Sequence, residues 1–184
     1  MTTVPNPPPG RVPPSGPLNG TGATPGALLR TAFVSGVTGA ETAERQFSTT
    51  FEEIKPDMSD LLAPFFRPAL ANAVQGRNYI ARGSAVFQAS SAIDVGIQVS
   101  VDNFATVIGD KFTRLPIQAL QAAEPVPFTL AYNFAAADLS IPIPVGATLE
   151  ARMVVRSIGA DTVGLVLSNA DDGSVSLELT EVGA

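Results

Sequence analysis

From Ile93 to Val101, apolar residues stand at every second position: Ile93, Val95, Ile97, Val99 and Val101. A helix scatters such a set around its axis, whereas a strand gathers it on one face. The alternation returns in Val126, Phe128, Leu130, Tyr132 and Phe134, then in Leu149, Ala151, Met153 and Val155. It continues in Val163, Leu165 and Leu167, and in Val175, Leu177 and Leu179. Each run is a half-buried strand, with one face for the core and the other carrying Ser, Thr, Gln, Glu or Arg. Turn chemistry separates the last runs: Pro144 and Gly146 in PVG, Gly159 in SIGAD, and an Asp-Gly pair in NADDG at 169–173. The last three runs therefore predict an antiparallel meander.

Elsewhere the period changes. Phe104, Val107, Ile108, Phe112 and Leu115 suit a helix capped by Asp102 or Asn103 and broken at Pro116. Over 57–75, Leu61, Leu62, Phe65, Phe66, Leu70 and Val74 share one helical face. Pro64 and Pro68 divide that stretch into two short helical pieces, the second starting near Pro68. In AETAERQFSTTFEEI, Phe47, Phe51 and Ile54 fit a helix while Ser48, Thr49 and Thr50 fit a strand, and both readings stay open.

Residues 1–26 are of another kind. They hold eight of the sixteen prolines, and Arg11 is their one charged side chain. Proline fixes φ and removes a donor, and glycine is costly to order, so the segment forms neither a helix nor a central strand. It reads as an extended arm of polyproline II character. Its low charge points to an arm that becomes ordered on a neighbouring subunit rather than a solvated tail. The division expected is an arm at 1–26, a mixed segment with short helices at 27–77, and an antiparallel β-rich domain at 78–184.

Charge and chemistry narrow the function. Residues 1–40 carry Arg11 and Arg30 and no acid, so with a net charge of −6 the remainder carries −8. An acidic body repels phosphate backbones, which argues against direct nucleic-acid binding. There is no basic region followed by an apolar run, and no apolar stretch of membrane-spanning length, so neither a secretory signal nor a membrane span is expected. Without histidine or cysteine there is no Ser-His-Asp or Cys-His triad and no imidazole or thiolate metal site. Adjacent carboxylates at Glu52–Glu53 and Asp171–Asp172 point to opposite faces of a strand, so adjacency does not pair them. NADDG lacks the closing Glu of a calcium loop. No cofactor, metal or catalytic residue is therefore expected, and the chain reads as a non-enzyme. The residues expected to make assembly contacts are Pro5, Pro7, Pro8, Pro9, Arg11, Pro13 and Pro14 of the arm, with Arg30, and with Arg152 and Arg156, which share a strand face with Glu150.

The uncharged arm VPNPPPGRVPPSGP, the lack of Cys, His and Trp, and the Val/Ala-rich β-domain with turns such as NADDG resemble the small structural proteins of tailed-phage virions. The likeness is to capsid decoration, or cement, proteins in particular. It implies a mainly β fold: an antiparallel sandwich or jelly roll with one or two short helices and an extended arm. It also implies the major capsid protein or other virion subunits as partners, a homo-oligomer with a trimer favoured, and a place on the particle exterior after assembly in the host cytoplasm. Fibre, neck, baseplate or host-surface-binding domains share this architecture. A second resemblance covers roughly 103–182. PIPVGATLEARMVVRSIGADTVGLVLSNADDGSVSLELTEV looks like the closing strands of hotdog-fold thioesterases and hydratases, with DNFATVIGDKFTRL as the central helix. It implies an α+β acyl-thioester enzyme or binding module, with Asp102 or Asp110 as the acidic residue near the helix.

Overall fold

The computed structural model describes residues 26–36, 45–54, 66–89, 91–115, 126–159, 163–167 and 175–183. They form two antiparallel sheets packed face to face. The strands are β1 (Leu28–Gly36), β2 (Arg45–Gln46), β3 (Glu52–Glu53), β4 (Ala69–Leu70), β5 (Asn78–Ala89) and β6 (Ile93–Ser100). After them come β7 (Gly109–Leu115), β8 (Val126–Ala135), β9 (Leu149–Ser157), β10 (Val163–Leu167) and β11 (Val175–Val182). A single turn of 3-10 helix, Ala136–Asp138, is the only helical element among the described residues.

The order of pairing defines the fold. β1 pairs with β11, β3 and β4 with β9, β5 with β8, and β6 with β7. The chain is thus a long hairpin, paired outermost with outermost down to its tip at 101–108. Cross-links between β11 and β5 and between β9 and β6 roll that hairpin into two sheets. This is the jelly-roll order, so the mainly β sandwich expected from the alternation is the fold found. Residues 27–77 contribute strands to both sheets.

The alternating runs make the core. Ile93, Val95, Ile97 and Val99 of β6 face Leu149, Ala151, Met153 and Val155 of β9 along one sheet, all buried. Tyr79, Ala81, Ala85 and Phe87 of β5, with Leu177 and Leu179 of β11, supply the other. At Gly83 a Cβ would stand 2.5 Å from the Met153 sulfur, so a larger residue there would have to displace that side chain. The Met153 side chain fills the space that an alanine would take.

Three expectations are corrected. The stretch 102–115 is not a helix but a turn followed by β7. Its apolar residues serve two faces: Ile108 is in the core, while Phe104 and Phe112 lie on the outside of the second sheet, and mixing the two sets imitates helical spacing. The central helix implied by the hotdog likeness is therefore not found at 103–115, and the α+β alternative for the fold is corrected. The second helical piece near Pro68 is instead β4 and turns, with the Pro68 carbonyl accepting from Ala151 N at 3.1 Å. Its first half, at 55–65, lies outside the described residues. The closing meander is also not found. β9 belongs to the second sheet, while β10 and β11 both run antiparallel to β5 along the same edge, one after the other. NADDG lies outside the described residues, and the strands flanking it do not pair with each other.

Candidate functional site

The outer face of the second sheet carries most of the described charge chemistry. β6 is buried on both sides, including Asp94, Gln98 and Ser100, which point away from the core. Three elements cover it: the segment 48–54, the turn after β6, and arginines from three separate parts of the chain.

One cluster forms around Glu53. Arg67 meets it with a fork, Nε to Oε1 at 2.7 Å and Nη2 to Oε2 at 2.6 Å, and Arg152 Nη1 reaches Oε2 at 3.5 Å. Arg152 also donates twice to Gln98 Oε1, at 2.9 and 2.7 Å. Burial pulls the Arg152 guanidinium below its ordinary pKa, and the Glu53 carboxylate works against that pull. Both guanidiniums lie over the Phe104 ring, Arg67 at 4.7 Å and Arg152 at 4.3 Å from its centroid. Phe104 takes a positive φ of 62° to reach that place. The turn that holds it is built by Ser100, whose Oγ accepts from Asp102 N and Phe104 N at 3.1 and 3.0 Å. Asp102 caps this turn rather than a helix, accepting from Thr106 N at 2.9 Å and from Ser100 Oγ at 2.6 Å. These hydrogen bonds hold its carboxyl below the usual range.

The second cluster forms around Asp94. Arg114 Nε donates to Oδ1 at 3.1 Å, and Arg156 Nε and Nη2 donate to Oδ2 at 3.1 and 2.9 Å. Arg156 lies 4.4 Å above the Phe51 ring, which stacks at 4.3 Å on Phe112. Phe112 crosses β6 at Gly96, where a Cβ would fall 2.0 Å from the ring.

Burial of Asp94 acts to raise its pKa, and the two arginines outweigh it, so the net direction is down. A lowered pKa stabilises the fold above the ordinary value of 3.8, and that stability is lost as pH falls towards the folded-state value. The melting temperature of the protein should therefore drop on acidification through this range. In Asp94→Asn it should start lower at neutral pH, and the gap should narrow in acid. A gap independent of pH would refute the assignment.

A third cluster stands at the edge of the first sheet. Glu181, 5 % exposed at its side chain, lies between Arg30 and Arg77, with Arg77 Nε 3.5 Å from Oε1. Arg30 also donates to the carbonyls of Ala71 and Asn72.

The sequence-predicted contacts divide accordingly. Arg152 and Arg156 do share a face of β9, as their spacing predicts, but each joins a different cluster within its own sheet. Arg30 ties β1 to the 71–72 turn. Pro5, Pro7, Pro8, Pro9, Arg11, Pro13 and Pro14 lie outside the described residues. Arg67, Asp94 and Arg114 are not named in the sequence reading, and Glu53, Phe51 and Phe104 figure there only in other roles, as a carboxylate neighbour and as apolar positions of expected helices. The signal available was the polar set of β6, Asp94 and Gln98, which needs partners once β6 is central. Among the described residues no group of three or more His, Cys, Asp or Glu is placed to hold a metal. What the face offers chemically is arginine N–H donors over an aromatic and apolar floor.

No protein-family model matches the chain, and no curated protein matches it. Solved structures with similarity include Eiger TNF from S. frugiperda, at 9 % identity over 84 % of this chain and 93 % of that one, with a TM-score of 0.40. They also include the infectious bursal disease virus VP2 subviral particle, at 12 % identity over 83 % of this chain and 39 % of that one, with a TM-score of 0.43.

Proposed function

We propose that this chain is a non-enzymatic structural subunit of a virus particle, of the capsid decoration type. Its arm straps a neighbour while its jelly roll sits on the particle exterior as a homo-oligomer, with a trimer favoured and the major capsid protein or other virion subunits as partners. The observation that carries this reading is the place where the arm joins the sandwich. Gly26 N donates to the Gly183 carbonyl at 3.1 Å, and Gly183 N to that of Ala27 at 2.8 Å. The Pro/Gly-rich segment therefore feeds directly into β1. Among the described residues β1 is an outer strand of the first sheet. On it Leu28 is 71 % exposed and Phe33 59 %. An apolar edge strand is a ready template for another chain, and native proteins cover such edges in assemblies. An arm leaving from that edge can carry the contact onto a neighbour, and repetition over many copies makes weak contacts lasting.

Deleting residues 1–26 tests the reading. The shortened protein should keep its circular dichroism and its melting temperature while its occupancy on particles falls at least about tenfold. Unchanged occupancy would overturn the proposal.

A further inference from the structure

The Asp94 cluster borders a cleft of about 240 Å³, lined by Thr49, Asp94, Arg114, Arg156, Ser157 and Ile158. Asp94 forms its floor and is 7 % exposed, with both oxygens occupied by the two arginines. The donors are in excess. A guanidinium carries five N–H groups. Asp94 takes one from Arg114 and two from Arg156, and no other described group accepts from either guanidinium. Both side chains open to solvent, Arg114 by 62 % and Arg156 by 41 %. Among the residues lining the cleft, two cations stand against one carboxylate, a surplus of one positive charge on a chain whose net charge is −6.

The surplus is presented in a fixed geometry. Arg156 is held from behind by Phe51 and from below by Asp94, so its free edge is oriented before any ligand arrives. Arg114 stands opposite Asp94 in the neighbouring strand and can turn its fork into the cleft. Planar forks of this kind match a carboxylate with two parallel hydrogen bonds. A single surplus positive charge balances one negative charge, whereas a dianionic phosphate would also meet the Asp94 carboxylate close by. The rim supplies Ile158, 41 % exposed, and the Thr49 side chain. That rim suits the methylene stem of an acidic amino acid better than the hydroxyls of an acidic sugar.

We propose that this cleft receives the carboxylate of an aspartate or glutamate side chain from an acidic protein surface. The proposal stands on the cleft alone and does not depend on the assembly reading.

The test is a titration of the full chain, followed by backbone amide NMR, with N-acetylglutamate α-amide as the probe. Its neutral analogue N-acetylglutamine amide, glucuronate and inorganic phosphate run in parallel. The glutamate probe should give saturable shifts at Thr49, Asp94, Ser157 and Ile158, with a dissociation constant on the order of millimolar. The glutamine analogue should give none. Arg114→Gln, at an exposed position where the fold is kept, should weaken the glutamate probe about tenfold. An unperturbed spectrum away from the cleft would show that the variant is folded. Absence of saturable shifts, equal binding of the glutamine analogue, or no effect of Arg114→Gln would overturn the site. Tighter binding of phosphate or of glucuronate at these residues would overturn the assignment to an acidic side chain.

Discussion

Glu53→Ala is expected to lower the unfolding free energy by about 4 kcal/mol, a large share of a typical domain's stability. Glu53 has 7 % of its side chain exposed and is held by Arg67, itself 9 % exposed, and by Arg152 at 21 %. Removing the carboxylate takes from both arginines the buried counter-charge that they share on this face. The cost is that of stranding buried charge rather than the net worth of the pair, which is much smaller. A double-mutant cycle separates the two. In a background with Arg67→Met and Arg152→Met, Glu53→Ala should cost much less, as read by urea denaturation. An equal cost in both backgrounds would show that Glu53 acts by packing or through β3 pairing and not by charge.

Gly96→Ala is expected to cost about 3 kcal/mol, at the upper end for overpacking by one methyl group. The added carbon would fall 2.0 Å from Phe112 Cδ1 and 2.9 Å from the Lys111 carbonyl oxygen. The ring can swing outward, since Phe112 is 36 % exposed, but the carbonyl belongs to the paired strand β7 and cannot yield without breaking register. Swinging the ring also ends its stacking on Phe51 and disturbs the seat of Arg156. In a Phe112→Ala background, Gly96→Ala should lose the part of its cost that comes from the ring and keep the part imposed by the Lys111 carbonyl. Full rescue there would place the clash in the ring alone.

Sequence reading served the strands that carry strong contrast. The runs beginning at Ile93, Val126, Leu149 and Val175 coincide with β6, β8, β9 and β11. The inward set of β6 is the alternating set, and all four of its core residues are fully buried. β5 was not singled out because Ala81, Gly83 and Ala85 stand at its inward positions beside Tyr79 and Phe87, and small residues give the alternation little amplitude. The β7 stretch imitates a helix because Phe112 faces outward onto glycine rather than inward. The spacing of β10 and β11 imitates a hairpin because turn residues at 169–173 mark a break in a strand line as readily as a reversal. The arginine clusters were hidden for a different reason. Their partners stand far apart in sequence, Arg67 with Glu53 and Arg156 with Asp94, and only the rolled topology brings them together. The spacing of Arg152 and Arg156 showed that they share a face, but not what already occupied it.

The rolled hairpin also sets an order of events for the chain as it folds. β6 and β7 meet across a short turn and can close early, on the timescale of a local loop. β1 and β11 meet only when the whole chain has been drawn together, since Arg30 and Glu181 are separated by 151 residues. Each further pair of the hairpin encloses a longer loop than the last, so chain-closure entropy is met before the outer contacts compensate it. The topology therefore predicts slow folding that runs from the tip towards the ends, with the strand next to the proline-rich arm the last to gain protection in pulse-labelled hydrogen exchange.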